Sequence, residues 1–248
     1  MFNTRISIGS PARRLLAAST LGLALAVAAA PTATADPKAP RTACAGGELD
    51  NCYSENQMGE FLQVGEQMVS DYLTHIGVRT RPKLVYIAEG HSVNGACKDD
   101  SGSRIQGPDA YDYCGADNTV YIGQHALWGY YHQYGAAGPI AGLAHEHGHY
   151  LQALAHVPQP QTATGNIPIE DQADCVAGDF VGYLRTLGDV EYPKDYRNLG
   201  DFLRSIGSRE EPGRDHGTPT ERVRIFEKGL FGGIAACNAF FPSTPLTR

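Results

Sequence analysis

Five consecutive residues, His145-Glu146-His147-Gly148-His149, contain the spacing H-E-x-x-H. On a helix, positions four apart share one face, so the imidazoles of His145 and His149 converge on one ion. Glu146, about 100° round the axis, reaches a water held at that ion, and His147 points elsewhere. Downstream, Glu170-Asp171-Gln172-Ala173-Asp174 places two further carboxylates, Glu170 and Asp174, at the same four-residue spacing. A catalytic zinc site has three protein ligands and an open position, whereas a structural one is closed by four. Glu170 can therefore be the third ligand and Asp174 the outer carboxylate that orients a ligand imidazole. The bland alternatives are histidines on an ordinary amphipathic surface, or a purely structural ion. Against the second stands Glu146, since a closed structural site has no use for a carboxylate held off the metal.

These residues need a frame. Pro139 to Ala155 runs without an interrupting proline and predicts the helix that carries the two histidines. A helix over Glu170 to Leu187 follows, with Gly188 as its C-terminal cap. Thr218-Pro219-Thr220-Glu221 matches a capping box with proline at the first helical position and starts another. Upstream, Phe61, Val64, Met68, Tyr72 and Ile76 recur at helical spacing between Gln57 and Gly77. Lys83 to Ala88 and Asn118 to Ile122 read as short strands, and the polar stretch between them reads as a surface excursion. The plan is α+β, a small sheet beside an active-site helix, in a single domain.

The chain has 248 residues, of which 42% are hydrophobic and 19% charged, and a formal charge of −7. The 20 basic residues are scattered, which excludes the footprint of a nucleic-acid binder. Arg5, Arg13 and Arg14, the apolar run Leu15 to Ala30 and the small-x-small site Ala33-Thr34-Ala35 read as a secretory signal over residues 1–35. Residues 36–248 then form the mature domain, which loses three arginines and no acid to cleavage and carries −10. Such a chain is expected to be secreted and to make no stable membrane insertion. All six cysteines remain, and an even count in an exported chain reads as disulfides. Fifteen pairings are possible. Nearness in sequence suggests Cys44–Cys52 and Cys97–Cys114, leaving Cys175–Cys237 as the long-range closure.

Other residues carry weaker signals. His216, just ahead of the capped helix, is a candidate donor to the oxyanion of a hydrolytic transition state, and equally a histidine that ties down its loop. His91, His125, His132 and His156 lack partners at ligand spacing and read as surface or core. Tyr111, Tyr113, Trp128, Tyr130, Tyr131 and Tyr134 form either an aromatic cleft wall or core packing, the commoner place for aromatics. The strand at Asn118 to Ile122 is either an open edge that pairs with an extended substrate or a core strand.

Taken together, HEHGHYLQ (145–152) and EDQADCVAG (170–178) resemble the signature blocks of the bacterial neutral zinc metallopeptidase family, a thermolysin-like zincin arrangement. YCGADNTVYIG (113–123) and HGTPTERVRIFEKGL (216–230) with Cys237 are similar to further family segments, so the resemblance spans roughly residues 44–240. It departs at His147, where an aromatic or apolar residue is usual, and at Asp171, where leucine is usual. The resemblance implies a zincin-like fold and one Zn2+ per chain on His145, His149 and Glu170. It also implies Glu146 as the catalytic carboxylate and a peptide or protein as substrate. The rivals are a secreted zinc-containing binding protein without hydrolytic activity and a zinc amidase acting on cell-wall peptides.

Overall fold

The structure, a computed structural model, describes residues 55–98, 102–160, 162–190 and 193–247. The proposed signal, the segment from Asp36 to Asp50 and the Cys44–Cys52 pairing lie outside those residues.

Helix α1 (Glu55–His75) lays Phe61, Leu62, Val69, Tyr72 and Leu73 into the core and ends at Gly77, whose φ of 89° suits glycine. The main sheet is mixed, with β5 (Thr119–Gly123) between β1 (Lys83–Ile87), parallel to it, and β4 (Tyr111–Cys114), antiparallel. The register pairs Lys83 with Thr119 and Tyr113 with Val120. All five residues of β5 are buried. The strand expected at Asn118 to Ile122 is thus the central core strand, one residue later, and cannot be an open edge for substrate. The edge positions fall to β1 and β4.

Between β1 and β5 a two-stranded ribbon forms from β2 (Val93–Asn94) and β3 (Ile105–Gln106). This excursion is less superficial than its composition implies. The Cys97–Cys114 disulfide ties it to β4, and Cys114 packs fully buried with Ile87 and Tyr121 in a second small apolar cluster.

Five further helices follow: α2 (Gln124–Tyr134), α3 (Ala137–Leu154), α4 (Ala163–Leu187), α5 (Lys194–Ser205) and α6 (Pro219–Asn238). Helix α3 is apolar around most of its circumference, as expected of a helix enclosed by others, and α1, α2, α4, α5 and β4 all pack on it. Helix α4 begins seven residues before the Glu170 start expected from sequence. Thr162 caps it by accepting from the Gly165 N–H, and Pro168 is accommodated inside. The capping box at α6 forms in both directions, and Gly188 ends α4 with φ 77°. Helices α4 and α6 run backbone against backbone: a β-carbon on Gly178 would occupy the Phe226 carbonyl, and one on Gly229 the Cys175 carbonyl. The Cys175–Cys237 disulfide fastens the same pair of helices. No described helix is long and apolar enough to cross a membrane.

Candidate metal centre

Helix α3 supplies His145, Glu146 and His149, and α4 supplies Glu170 and Asp174. The two helices approach closely because Gly148 faces Ala173, where a side chain would strike the neighbouring backbone. That contact brings Glu170 across to the histidines. His145 Nε2 lies 3.1 Å from Glu170 Oε2 and 3.1 Å from His149 Nε2, and His149 Nε2 lies 3.5 Å from Glu170 Oε1. These three residues form the one group of His, Cys, Asp and Glu among the described residues that could hold a metal ion.

The chemistry of the donor set fits an ion. His145 Nδ1 is 2.9 Å from Asp174 Oδ1 and His149 Nδ1 is 2.9 Å from Gln152 Oε1. If each Nδ1–H donates there, both neutral imidazoles turn a bare Nε2 lone pair towards the other across 3.1 Å. Two lone pairs and a carboxylate facing one point repel unless a cation stands between them. Ligand atoms about 2.0–2.1 Å from a tetrahedral ion lie about 3.3 Å apart, which is the spacing found.

The electrostatics agree. Burial alone would lower the His145 pKa, but its bonds to Asp174 and Glu170 outweigh burial and push it up to about 10. His149 is raised against the same opposition of burial, mainly by Glu170. Burial would raise Glu170, yet His149, His145 and His216 hold it well below the usual carboxylate range. The site stabilises positive charge where the ligand atoms meet.

Glu146 is buried beside this group without belonging to it. Its Oε2 accepts the Tyr113 N–H from β4 at 2.8 Å, and burial raises its pKa against the pull of His145 and His149. A carboxylate whose pKa lies high is suited to accept and return a proton. Behind His145, Asp174 also accepts from the Arg222 guanidinium of α6 at 2.7 Å. Asn166, one turn before Glu170, donates to Glu170 Oε1 at 3.1 Å.

His216 lies at the mouth of the site, its side chain about one third exposed. Its Nε2 is 3.2 Å from Glu170 Oε2 and its Nδ1 is 2.8 Å from Asp215 Oδ1. Asp171 stands outside the ligand group, with a buried Oδ1 that has no hydrogen-bond partner. His147 turns away from the ion position: its Nδ1 bonds the Leu143 carbonyl and its Nε2 faces Glu66 of α1 at 3.3 Å.

Two hollows flank the centre. One, of about 170 Å³, lies against Glu146 and His145 and is walled by Tyr111, Tyr130, Phe202 and Leu203, with Arg222 lining it as well. The other, of about 590 Å³, opens on the side of His149 and Glu170, with Tyr113, His156 and Asn166 in its wall. The aromatic cluster therefore divides between both expected roles. Tyr111, Tyr113 and Tyr130 line hollows, while Trp128 stacks on Tyr131 and Tyr134 packs edge-on against Phe202. His156, expected at the surface or in the core, stands in the larger hollow at φ 54°.

Sequence reasoning missed Gln152, Asn166 and Arg222. The first two were accessible, lying three residues after His149 and four before Glu170 on the ligand-bearing faces of their helices. Arg222 was not, because nothing local ties it to Asp174 across 48 residues. No family model, curated protein or solved structure matches the chain.

Proposed function

We propose that the protein is an exported zinc-dependent metallopeptidase with a zincin-like fold, akin to the bacterial neutral zinc metallopeptidases. One observation carries the reading. Glu146 is buried beside a three-residue ligand group, raised in pKa, and kept out of that group by its bond to the Tyr113 N–H. A structural site has no role for such a carboxylate.

A zinc ion on His145, His149 and Glu170 would supply Lewis acidity, polarising a carbonyl and lowering the pKa of a water towards neutrality. Glu146 takes the proton from the attacking water and returns it to the leaving amine. Asp174 and Gln152 hold the two imidazoles with Nε2 turned inward. His216, oriented by Asp215, holds its Nε2 against Glu170 Oε2 at the mouth of the site, from where it would turn to donate to the developing oxyanion. The two hollows on either side of Glu146 and Glu170 provide room for the residues flanking a scissile bond. The disulfides Cys97–Cys114 and Cys175–Cys237 support folding in an oxidising compartment, consistent with export through residues 1–35.

The test is zinc content and cleavage of a mixed-sequence quenched peptide library by the purified protein and by Glu146→Gln. One zinc per chain with cleavage that the variant loses supports the peptidase. One zinc with cleavage retained by Glu146→Gln removes Glu146 from its role. Zinc without peptide cleavage but with hydrolysis of peptidoglycan fragments transfers the activity to cell-wall peptides, and zinc with neither leaves a binding protein.

A further inference from the structure

Beneath His149 lies a buried polar chain that the hydrolytic role does not by itself require. Gln152 Oε1 meets His149 Nδ1 at 2.9 Å, and Gln152 Nε2 donates to the Ile169 carbonyl at 2.7 Å and to Gln172 Oε1 at 3.2 Å. Gln172 Nε2 donates in turn to the Cys237 carbonyl at 3.1 Å. Gln152 and Gln172 are 1% and 0% exposed, too enclosed for water to replace any of these bonds.

The direction of every bond in this chain is dictated from its far end. A backbone carbonyl only accepts, so the Cys237 oxygen forces the Gln172 amide to present Nε2, which turns Gln172 Oε1 towards Gln152. The Ile169 and Gln172 oxygens are likewise acceptors and between them use both protons of Gln152 Nε2. Gln152 is left with only an acceptor to offer His149. His149 must then carry a proton on Nδ1, so that in its neutral form, the one that binds metal, Nε2 is the bare nitrogen facing the ion position.

We infer that Gln152 and Gln172 are positioning residues, a two-amide relay from the Cys237 and Ile169 carbonyls that sets the tautomer and ring orientation of His149 for metal binding. The inference rests on the metal-site reading above. It gives the Cys175–Cys237 bridge a second consequence, because that disulfide anchors the segment whose carbonyl starts the relay. His145 is served differently, by the carboxylate of Asp174 backed by Arg222, so the two imidazoles are fixed by independent devices from different parts of the chain.

The experiment measures zinc affinity by chelator competition, the absorption spectrum of the cobalt-substituted protein, and the thermal midpoint of the metal-free protein. The variants are Gln152→Met, Gln172→Met and Gln152→Glu in the full chain. Gln152→Met removes the acceptor at close to constant volume and lowers zinc affinity about 10- to 100-fold, with an altered cobalt spectrum. Gln172→Met gives a smaller loss in the same direction. Gln152→Glu keeps an acceptor for His149 but loses both donors. It restores most of the zinc affinity while the metal-free midpoint falls.

If the amides serve only packing, all three variants lower the midpoint and the folded protein binds zinc as the parent does. That result overturns the relay and leaves the metal site standing. A parent protein that binds no zinc overturns both. Should one methionine variant fail to fold, the other decides, since each loses zinc affinity if the relay holds and keeps it if the amides only pack; lost affinity in a folded Gln152→Glu protein also refutes the assignment.

Discussion

The Asp174–Arg222 pair offers the sharpest physical test of the centre. Both side chains are almost completely buried, at 2% and 4% exposure, with Arg222 Nη2 2.7 Å from Asp174 Oδ1 and Nη1 donating to the Ile206 carbonyl at 3.1 Å. Removing one member of such a pair strands the other charge in a medium that solvates it poorly, typically at a cost of about 3–5 kcal/mol. Here the lower end applies to Arg222→Met. Asp174 retains a second partner in His145, whose own pKa in the metal-free chain is pushed up to about 10 against the effect of burial. Methionine keeps most of the volume, so about 3 kcal/mol is charge and hydrogen bonding rather than cavity. In a domain of this size that lowers Tm by on the order of 10 °C.

Asp174→Asn costs a similar amount because it strands Arg222 instead. The double variant removes both charges, and the cycle should return an interaction energy of about 2–3 kcal/mol. The assay is denaturant unfolding of the metal-free protein at pH 7 with disulfides intact, for the parent, both single variants and the double. Additivity within about 0.5 kcal/mol would refute the reasoning, since it means the two groups do not share a desolvated environment.

Two other consequences follow from features away from the ligands. Replacing Cys175 and Cys237 together by alanine opens a 62-residue loop, worth about 4 kcal/mol in the loop-entropy account. Opening the 17-residue Cys97–Cys114 loop costs about 3 kcal/mol, so midpoints should rank in that order, and equal midpoints would count against the loop-length explanation. Asp112 on β4 is raised to about 6 by burial, with Glu146 and Asp117 adding to it. A carboxyl that is harder to ionise in the folded state binds its proton more tightly there than in the unfolded chain. Stability at this residue is therefore present below about pH 4 and is lost as pH rises to 6. Asp112→Asn should flatten that part of the stability profile and leave the protein more stable at pH 7; a profile with unchanged slope between pH 4 and 6 would sink the assignment.

What could be seen in the sequence was whatever short-range periodicity determines. The convergence of His145 and His149 and the separate placement of Glu146 follow from 3.6 residues per turn. The capping box at Thr218 and the Gly188 stop follow from backbone groups a few residues away. Two helices beyond those expected carry a legible pattern in the sequence. Leu199, Phe202 and Leu203 are spaced for one helical face, as are Leu127, Tyr131 and Tyr134, and these are the buried faces of α5 and α2. The start of α4 departs from the Glu170 expectation for a different reason: Pro168 is accommodated inside the helix, and Thr162 caps a turn that begins before it. The position of the strand at 119–123 depended on which neighbours it would acquire, and an alternating pattern cannot distinguish a central strand from an edge when every residue ends up buried.

The centre shows why the remaining information had to be long-range. Within a few ångströms, Glu146, Glu170 and Asp174 are all at least nine-tenths buried, with Arg222 as the lone fixed cation among the described residues that touch them. A core does not tolerate that imbalance unless positive charge arrives from elsewhere. Without an ion, Asp174 and Glu170 favour the protonated form of His145 and push its pKa up to about 10 despite burial. A divalent ion meets the same demand more completely, because it answers both lone pairs and the carboxylate at one point, and its binding must release the protons it replaces. Gly148, Asp174, Arg222 and the glutamines below His149 thus serve one end. On the proposed metal-site reading, Gly148 lets α3 and α4 approach closely enough to bury an excess of negative charge, and the other residues fix its geometry so that a cation, rather than rearrangement of the side chains, is the way to neutralise it.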